Sequence, residues 1–213
     1  MIRVYVYCEG DTEYTFVKNK LSEYLELHDI KLDVATNSRS GSHCHGVSSY
    51  ASIKREIQHV CHEHPNEYVT TMLDFYGFPF SDFTDKDITI KKCDVIEKQI
   101  EEDLKCKNCL FHFDLCEFEA ILFSDPAQFS RIDPKAKCKV EEIREQYPNP
   151  EDINSSYAHC PSRRLESIIE GYSKIIDSRI LYSHLDLDKV REQCPHFNQW
   201  MTRICALKEK SIY

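Results

Sequence analysis

The stretch VYVYCEGDTEYTFV, residues 4–17, decides the first unit of the fold. Ile, Val and Tyr dominate its beginning, which predicts a buried strand over 2–7. Gly10 then lets the backbone turn sharply, and the apolar residues from Tyr14 onward recur at helical spacing. Three carboxylates lie in between: Glu9, Asp11 and Glu13. The stretch therefore predicts a strand, a tight turn and a helix, with acid gathered where the strand ends.

The same alternation of strand and helix continues to residue 123. Further strands are predicted at 31–36, 67–75 and 109–114, and further helices at 50–64 and 90–104, with another beginning in 117–123. Such alternation predicts an α/β fold with a mainly parallel, four-stranded sheet. Ligands bind outside the carboxyl ends of such strands, and three of the four strands deliver Asp or Glu to that edge.

Beyond residue 130 the strand signal stops. Apolar residues at helical spacing form one stripe over 165–176 and another over 197–207, while 147–162 is a polar connection with three prolines. We predict an α/β core over 1–130 and a helical extension over 131–213 that packs on the core.

Composition limits the class of protein. With 213 residues, 41% of them hydrophobic, the chain has enough apolar surface for a core. The apolar runs are too short to span a bilayer, and no signal peptide is expected, so we expect a cytoplasmic protein with no membrane partner. The number of cysteines, eleven, is odd, and the chain is longer than a small disulfide-stabilised protein. Most of the cysteines are therefore expected to be free thiols.

The charge is unevenly distributed along the chain. Residues 1–130 carry 13 Lys and Arg against 23 Asp and Glu, whereas 131–213 carry 14 against 13. A chain of net charge −9 does not attract nucleic acid by its overall field. A polyanionic substrate would need metal ions, a local basic patch or a partner protein to supply positive charge.

The strand-end acids are the candidate metal ligands. Asp11 and Glu13 are explained equally well as the start of a helix, but Glu9 precedes the helix and is not. Asp74 ends the third predicted strand, and hard oxygen ligands from neighbouring strand ends suit Mg²⁺. A denser group follows the fourth strand: Asp114, Glu117 and Glu119.

Glu117 and Glu119 cannot share one helical face, so we expect one to point at the sheet edge. The other would cap a helix or pair with an arginine. Basic residues of the extension could bind phosphate oxygens or balance the negative charge of the acids. They are explained equally well as ordinary surface residues of a helix. They are Arg163, Arg164 and Lys174.

Histidine and cysteine runs at 43–46, 61–64 and 106–109 contain the residue types that bind zinc. The CxxC at 106–109 lacks a second ligand pair at zinc-finger spacing, so structural zinc is not predicted. His112 and His196 are expected in core or capping roles. The sequence contains no glycine-rich phosphate loop, dinucleotide fingerprint or GxSxG motif.

The ordered series VYCEGDTEYTFV, LDFYGFP, CEFEAILFSD, PSRRL and CPHFNQWM resembles a bacterial Toprim-like family of unknown function. Members are often encoded beside AAA- or ABC-type ATPases in anti-phage defence islands, and the resemblance covers nearly the whole chain. It implies a Toprim-type core related to overcoming-lysogenization-defect nucleases, topoisomerases and primases. It also implies that Glu9 is the Toprim glutamate and Asp74 the first aspartate of the Asp-x-Asp motif. Tyr76 replaces the second aspartate, so Asp114, Glu117 or Glu119 would have to substitute for it.

The first hypothesis is a nuclease dependent on Mg²⁺ or Mn²⁺ that cuts DNA or RNA as the effector of a defence system. Its metal ligands would come from Glu9, Asp74, Asp114, Glu117 and Glu119. The catalytic residues would be Glu9, Asp74, Glu117, Arg163 and Lys174, and the substrate would contact Arg163, Arg164 and Lys174.

The alternative hypothesis is a catalytically degenerate regulatory or sensor subunit that controls a partner ATPase. In either case we expect an AAA- or ABC-type ATPase partner, docked on the helical extension near Phe197, Trp200 and the 163–164 arginines. Whether the chain forms a homo-oligomer is left open.

Overall fold

The computed structural model describes residues 1–36, 49–75, 78, 89–115, 117–153 and 159–209. Its strands are β1 (Ile2–Cys8), β2 (Ile30–Thr36), β3 (Tyr68–Asp74), β4 (Cys109–Leu110) and β5 (Phe113–Asp114). All pair in parallel in the order β2-β1-β3-β4, and β5 also lies beside β3. The predicted α/β fold with a parallel sheet is confirmed.

The core helices are α1 (Asp11–Phe16), a π-helical turn (Val17–Leu21), α2 (Ser22–Glu26), α3 (Tyr50–Glu63) and α4 (Ile90–Leu104). Two 3₁₀ helices follow, Phe118–Ser124 and Pro126–Arg131. The extension contains α5 (Pro134–Gln146), α6 (Pro161–Ile168), α7 (Ile176–Ser183), α8 (Leu187–Gln193) and α9 (Pro195–Ala206), with short 3₁₀ helices at Pro150–Asp152 and Leu207–Glu209. The helix predicted over 90–104 is confirmed at both ends.

Side-chain alternation along β1 divides the core into two layers. Val4, Val6 and Cys8 face one side of the sheet, with α1, α2 and most of the extension. Tyr7 faces the other side and packs with the buried residues of α3 and α4. Both sides of the sheet are therefore covered by helices, as parallel strands require.

The strand predicted over 109–114 is split into β4 and β5 by Phe111 and His112. Thr71 fills the interruption, since its Oγ1 accepts from His112 N at 2.8 Å and donates to His112 O at 2.7 Å. Thr70 Oγ1 likewise donates to Leu110 O at 2.6 Å. Side chains of β3 thus take over hydrogen bonds that backbone groups make elsewhere in a sheet.

Helix α4 covers the other side of this outer strand. Glu101 Oε1 accepts from Phe111 N at 2.8 Å, and Glu97 Oε1 accepts from Phe113 N at 2.8 Å. Two outward-facing backbone amides are therefore bound by carboxylates from one helix.

The extension packs on the core. Trp200 Nε1 donates to Thr70 Oγ1 on β3 at 2.8 Å, and both Trp200 and Phe197 are 1% exposed. The expectation that these two aromatic residues lie at a docking surface is wrong, because they are part of the core. The boundary between residues 130 and 131 stays a prediction.

The apolar stripe over 165–176 is not one helix, contrary to the prediction. Helix α6 ends at Ile168, Gly171 has φ +72°, and α7 begins only at Ile176. Ile175 and Ile176 consequently lie 60% and 63% exposed. A residue in the left-handed region cannot continue an α-helix, and glycine adopts it without strain. In the described part of the chain, no helix has the length and apolar character needed to cross a membrane.

Candidate functional site

Strands β1, β3 and β5 end at the same edge of the sheet, and each delivers an acid there. Glu9 follows β1, and its Oε2 accepts from Asp74 N at 3.1 Å. Asp74 ends β3, and its Oδ1 accepts from Phe118 N at 2.8 Å. Asp114 ends β5 directly opposite Asp74 in the parallel register. The structure thus brings together three of the acids singled out in the sequence.

Glu13 joins these strand-end acids from the first turn of α1. Its side chain is 3% exposed, so it does not behave as a solvated helix-start residue. A Cβ at Gly10 would lie 2.9 Å from Glu13 Oε2, closer than a real Cβ contact. A larger residue at position 10 would therefore displace the Glu13 carboxylate from its present position beside the turn.

Glu119 and Lys174 complete the arrangement. Glu119 belongs to the 3₁₀ helix Phe118–Ser124, is 0% exposed, and places Oε1 3.0 Å from Lys174 Nζ. Lys174 comes from the segment between α6 and α7, and its side chain is 45% exposed. Burial alone would lower the pKa of Lys174, but Glu119, Asp74 and Glu13 outweigh it and raise the pKa, so the lysine stays a cation.

We call the five carboxylates the acidic cluster: Glu9, Glu13, Asp74, Asp114 and Glu119. The pKa of each of these carboxyl groups is raised, and the largest cause in each case is loss of solvation. This holds also for Glu9, although the residue as a whole is exposed to solvent. The pKa of Glu13 rises to about 7. For Asp74 and Asp114 the charge of Glu13 is the next cause. Five acids around one lysine therefore repel one another in a poorly solvated site.

Several oxygens of the acidic cluster have no hydrogen-bond partner among the described residues. They are Asp114 Oδ2 and both carboxylate oxygens of Glu119, whose contact with Lys174 is an ion pair without regular hydrogen-bond geometry. Buried carboxylate oxygens of this kind are normally bonded to a donor or a cation. The arrangement therefore has the chemistry of a cation-binding site.

Glu117 is used differently from its neighbours. Its Oε2 accepts from Ser162 N at 2.8 Å, and its Oε1 accepts from Ser162 Oγ at 3.0 Å. Both carboxylate oxygens thus bind the first turn of α6, where backbone amides favour negative charge. This matches the expectation that one acid of the 117–119 pair would cap a helix while the other points at the edge.

The two predicted arginines make their described contacts within the extension. Arg163 forms an ion pair with Glu166 at 2.7 Å on the surface of α6. Arg164 Nε donates to His159 O at 2.8 Å, and its guanidinium lies over the Tyr147 ring. Lys174 is the predicted basic residue that contacts the acidic cluster.

Two features from the sequence lie outside the described residues: Tyr76, which the resemblance aligns with the second aspartate of the Asp-x-Asp motif, and the histidine run at 43–46. His112 and His196 are buried, in agreement with the expected core roles.

A second group of ionisable side chains lies between α4 and α9. Cys93, Glu97 and His196 are buried and place one ligand atom each within 4.8 Å of one another, so they could hold a metal ion. They are the single such group of three in the described part of the chain. The sequence analysis missed it, although Cys93 and Glu97 are four residues apart on a predicted helix.

One comparison with known proteins gives a match. The model of a family described as a domain of unknown function, DUF4276, matches residues 8–205. The matched span contains the acidic cluster, Lys174 and the Cys93–Glu97–His196 group. No curated protein and no solved structure matches the chain significantly.

Proposed function

We propose that this chain, which belongs to the DUF4276 family of unknown function, is a nuclease that uses Mg²⁺ or Mn²⁺ to hydrolyse DNA or RNA. The observation that carries the proposal is the acidic cluster at the carboxyl edge of a parallel sheet, with buried carboxylate oxygens that lack partners. Ligand sites of open α/β sheets lie at this edge.

The donor set of the cluster fits a hard divalent cation. Carboxylate oxygens are the protein ligands that Mg²⁺ prefers, and the cluster offers them from three strand ends and two helical turns. Without a cation, the buried acids must either repel one another or take up protons. Asp114 Oδ2 and Glu119 Oε2 have neither a hydrogen-bond partner nor an ion pair among the described residues and could accept a cation, whereas both oxygens of Glu117 are bound to Ser162. We therefore assign the cation to the acidic cluster and give Glu117 a positioning role.

A bound divalent ion would supply a hydroxide nucleophile from water and neutralise charge on the scissile phosphate. The chain's own residues would do the rest. Glu9 is exposed at the rim, where a substrate backbone arrives, and its carboxylate is oriented by the Asp74 amide. Lys174 is half exposed, permanently charged and fixed by Glu119, so it would bind a phosphate oxygen beside the cluster. Glu13 is buried, and the protonation state of its carboxyl group would set the net charge of the site.

Titration calorimetry and cleavage assays together test the proposal. The full-length chain, stripped with EDTA, should bind Mn²⁺ and should then cut plasmid DNA or a structured RNA. Asp74→Asn should abolish both, and Lys174→Met should lower cleavage while Mn²⁺ binding remains. Asp33→Asn on β2, whose carboxylate pairs with Arg3 instead, is the matched control and should behave as wild type. Cleavage by Asp74→Asn at the wild-type rate would refute the assignment.

One observation favours the second hypothesis, a regulatory or sensor subunit without turnover. Among the described residues, no three carboxylates of the acidic cluster place their oxygens within 4.8 Å of one another. A nuclease site would have to contract around its ion, whereas a degenerate site would keep Lys174 as its permanent counter-ion. A wild-type chain that binds no Mn²⁺ and cuts nothing would support the regulatory reading.

The proposal includes an AAA- or ABC-type ATPase partner in anti-phage defence, and the resemblance to the Toprim-like family is its support. The excess acid over residues 1–130 supports it further, because a lone acidic chain binds nucleic acid weakly. Where an AAA- or ABC-type ATPase is encoded beside this chain, co-expression of the two should yield a complex and raise cleavage. Full cleavage by the lone chain at physiological salt, unchanged by the ATPase, would contradict this part.

A further inference from the structure

We propose that Cys93, Glu97 and His196 form a separate binding site for a zinc-class transition-metal ion that fastens α9 to α4. Two ligands come from one helix of the α/β core and the third from the last α-helix of the chain, 99 residues beyond Glu97. The proposed site lies outside the acidic cluster, and its ligand chemistry differs, because a thiol and an imidazole select borderline metals rather than Mg²⁺.

The distances between the three ligand atoms match a tetrahedral site. Cys93 Sγ lies 3.5 Å from His196 Nε2 and 3.9 Å from Glu97 Oε1, and His196 Nε2 lies 3.1 Å from that same oxygen. Zinc bonds of about 2.3 Å to sulfur and about 2.1 Å to nitrogen or oxygen give ligand separations of about 3.4–3.6 Å at tetrahedral angles. Each observed separation is therefore within a few tenths of an ångström of the required one.

Helix geometry explains why two ligands converge. Cys93 and Glu97 are four residues apart on α4, so their side chains lie next to each other on the buried face. His196 stands in the first turn of α9, where its own backbone amide is held by Glu151 at 2.9 Å. The third ligand is thus positioned by backbone contacts that do not involve the site itself.

The carboxylate of Asp94 lies next to the other ring nitrogen of His196. Asp94 Oδ1 lies 3.6 Å from His196 Nδ1, and neither atom has a hydrogen-bond partner among the described residues. Metal-binding histidines usually donate their other N–H to a carboxylate in this way. A small closure on metal binding would turn this contact into a hydrogen bond and give both orphaned atoms a partner.

The surroundings balance the charge of the site. Arg203 Nη1 lies 3.6 Å from Glu97 Oε2 and offsets part of its negative charge. His112 Nδ1 lies 3.4 Å from Glu97 Oε1. The Cys93 thiol must lose its proton to ligate, as must His196 if it is protonated, and these protons leave to solvent. A divalent ion would then face a thiolate, a carboxylate and a neutral imidazole.

Cobalt substitution provides the direct test, because a thiolate bound to Co²⁺ gives a charge-transfer absorption. The full-length chain, stripped of metal under reducing conditions, should bind one Co²⁺ with this band, and Zn²⁺ but not excess Mg²⁺ should displace it. Cys93→Ser and His196→Gln should each abolish the band. Cys205→Ser, which removes another thiol of α9, is the matched control and should keep it.

Asp94→Asn covers the case in which a ligand variant fails to fold. Asp94 is partly exposed and only supports His196, so this variant should fold and weaken Co²⁺ binding roughly 10–100-fold. The proposal is overturned if the wild-type chain gives no thiolate band. It is also overturned if the band survives in folded Cys93→Ser, since other thiols would then hold the metal.

Discussion

Glu13→Gln tests the electrostatics of the acidic cluster most directly. The pKa of Glu13 rises from 4.5 to about 7 on folding, first because burial removes its solvation. A carboxyl group with a raised pKa binds its proton more tightly in the folded state. Its contribution to stability is therefore complete below pH 4.5 and is lost as the pH rises through 7. A difference of 2.5 pKa units at about 1.36 kcal/mol each corresponds to about 3 kcal/mol.

Glutamine has the shape of glutamate but no charge, so the variant escapes this loss. In EDTA, Glu13→Gln should be more stable than wild type by up to about 3 kcal/mol at pH 8 and nearly equal to it at pH 4.5. Urea unfolding followed by circular dichroism at pH 4.5, 6, 7 and 8 measures the difference. Glu23→Gln, at an exposed position of α2, should show no such trend.

Metal should narrow this difference in stability. A ligand at 100 times its dissociation constant stabilises the folded state by about 2.7 kcal/mol, and the variant should gain less of this because a cluster carboxylate is gone. A variant that is no more stable than wild type at pH 8 in EDTA would refute the reasoning. Glu13 would then have to be solvated or paired rather than buried against like charges.

Two further changes test single contacts of the fold. Trp200→Phe removes the 2.8 Å hydrogen bond to Thr70 Oγ1 in the core and should lower the free energy of unfolding by about 1–3 kcal/mol. Urea unfolding measures the loss, with Phe197→Leu for comparison. An unchanged free energy of unfolding would show that the hydrogen bond contributes little. Gly10→Ala places a Cβ 2.9 Å from Glu13 Oε2 and should displace that carboxylate while the fold persists. Titration calorimetry should then show weaker Mn²⁺ binding. An unchanged Mn²⁺ affinity would mean that Glu13 is not part of the metal site.

The sequence predicts the sheet because its signals are local. The apolar run before Glu9 marks β1, and the charged helix predicted over 90–104 is α4. Parallel pairing then places Glu9, Asp74 and Asp114 at one edge without further information. The break after Ile168 was missed because the apolar residues on both sides of it keep helical spacing.

The rest of the site depends on contacts between distant parts of the chain. The sequence explains Glu13 equally well as the start of a helix, and its burial becomes visible only in the folded structure. Lys174 contacts Glu119 from the segment between α6 and α7, and no local pattern specifies this contact. Cys93 and His196 are 103 residues apart, so the sequence shows a thiol and a histidine but not their contact.

The carboxylates that α4 places along the outer strand bear on self-association. Unpaired amides at the border of a sheet are a template for adding a strand from another molecule, which leads to β-mediated dimers or fibrils. Here Glu101 and Glu97 occupy the amides of Phe111 and Phe113. A second chain would meet amide donors that are already bound to these carboxylates. Growth of the sheet across this border is therefore blocked for as long as α4 stays folded, and any β-mediated assembly through it must begin with the detachment of that helix.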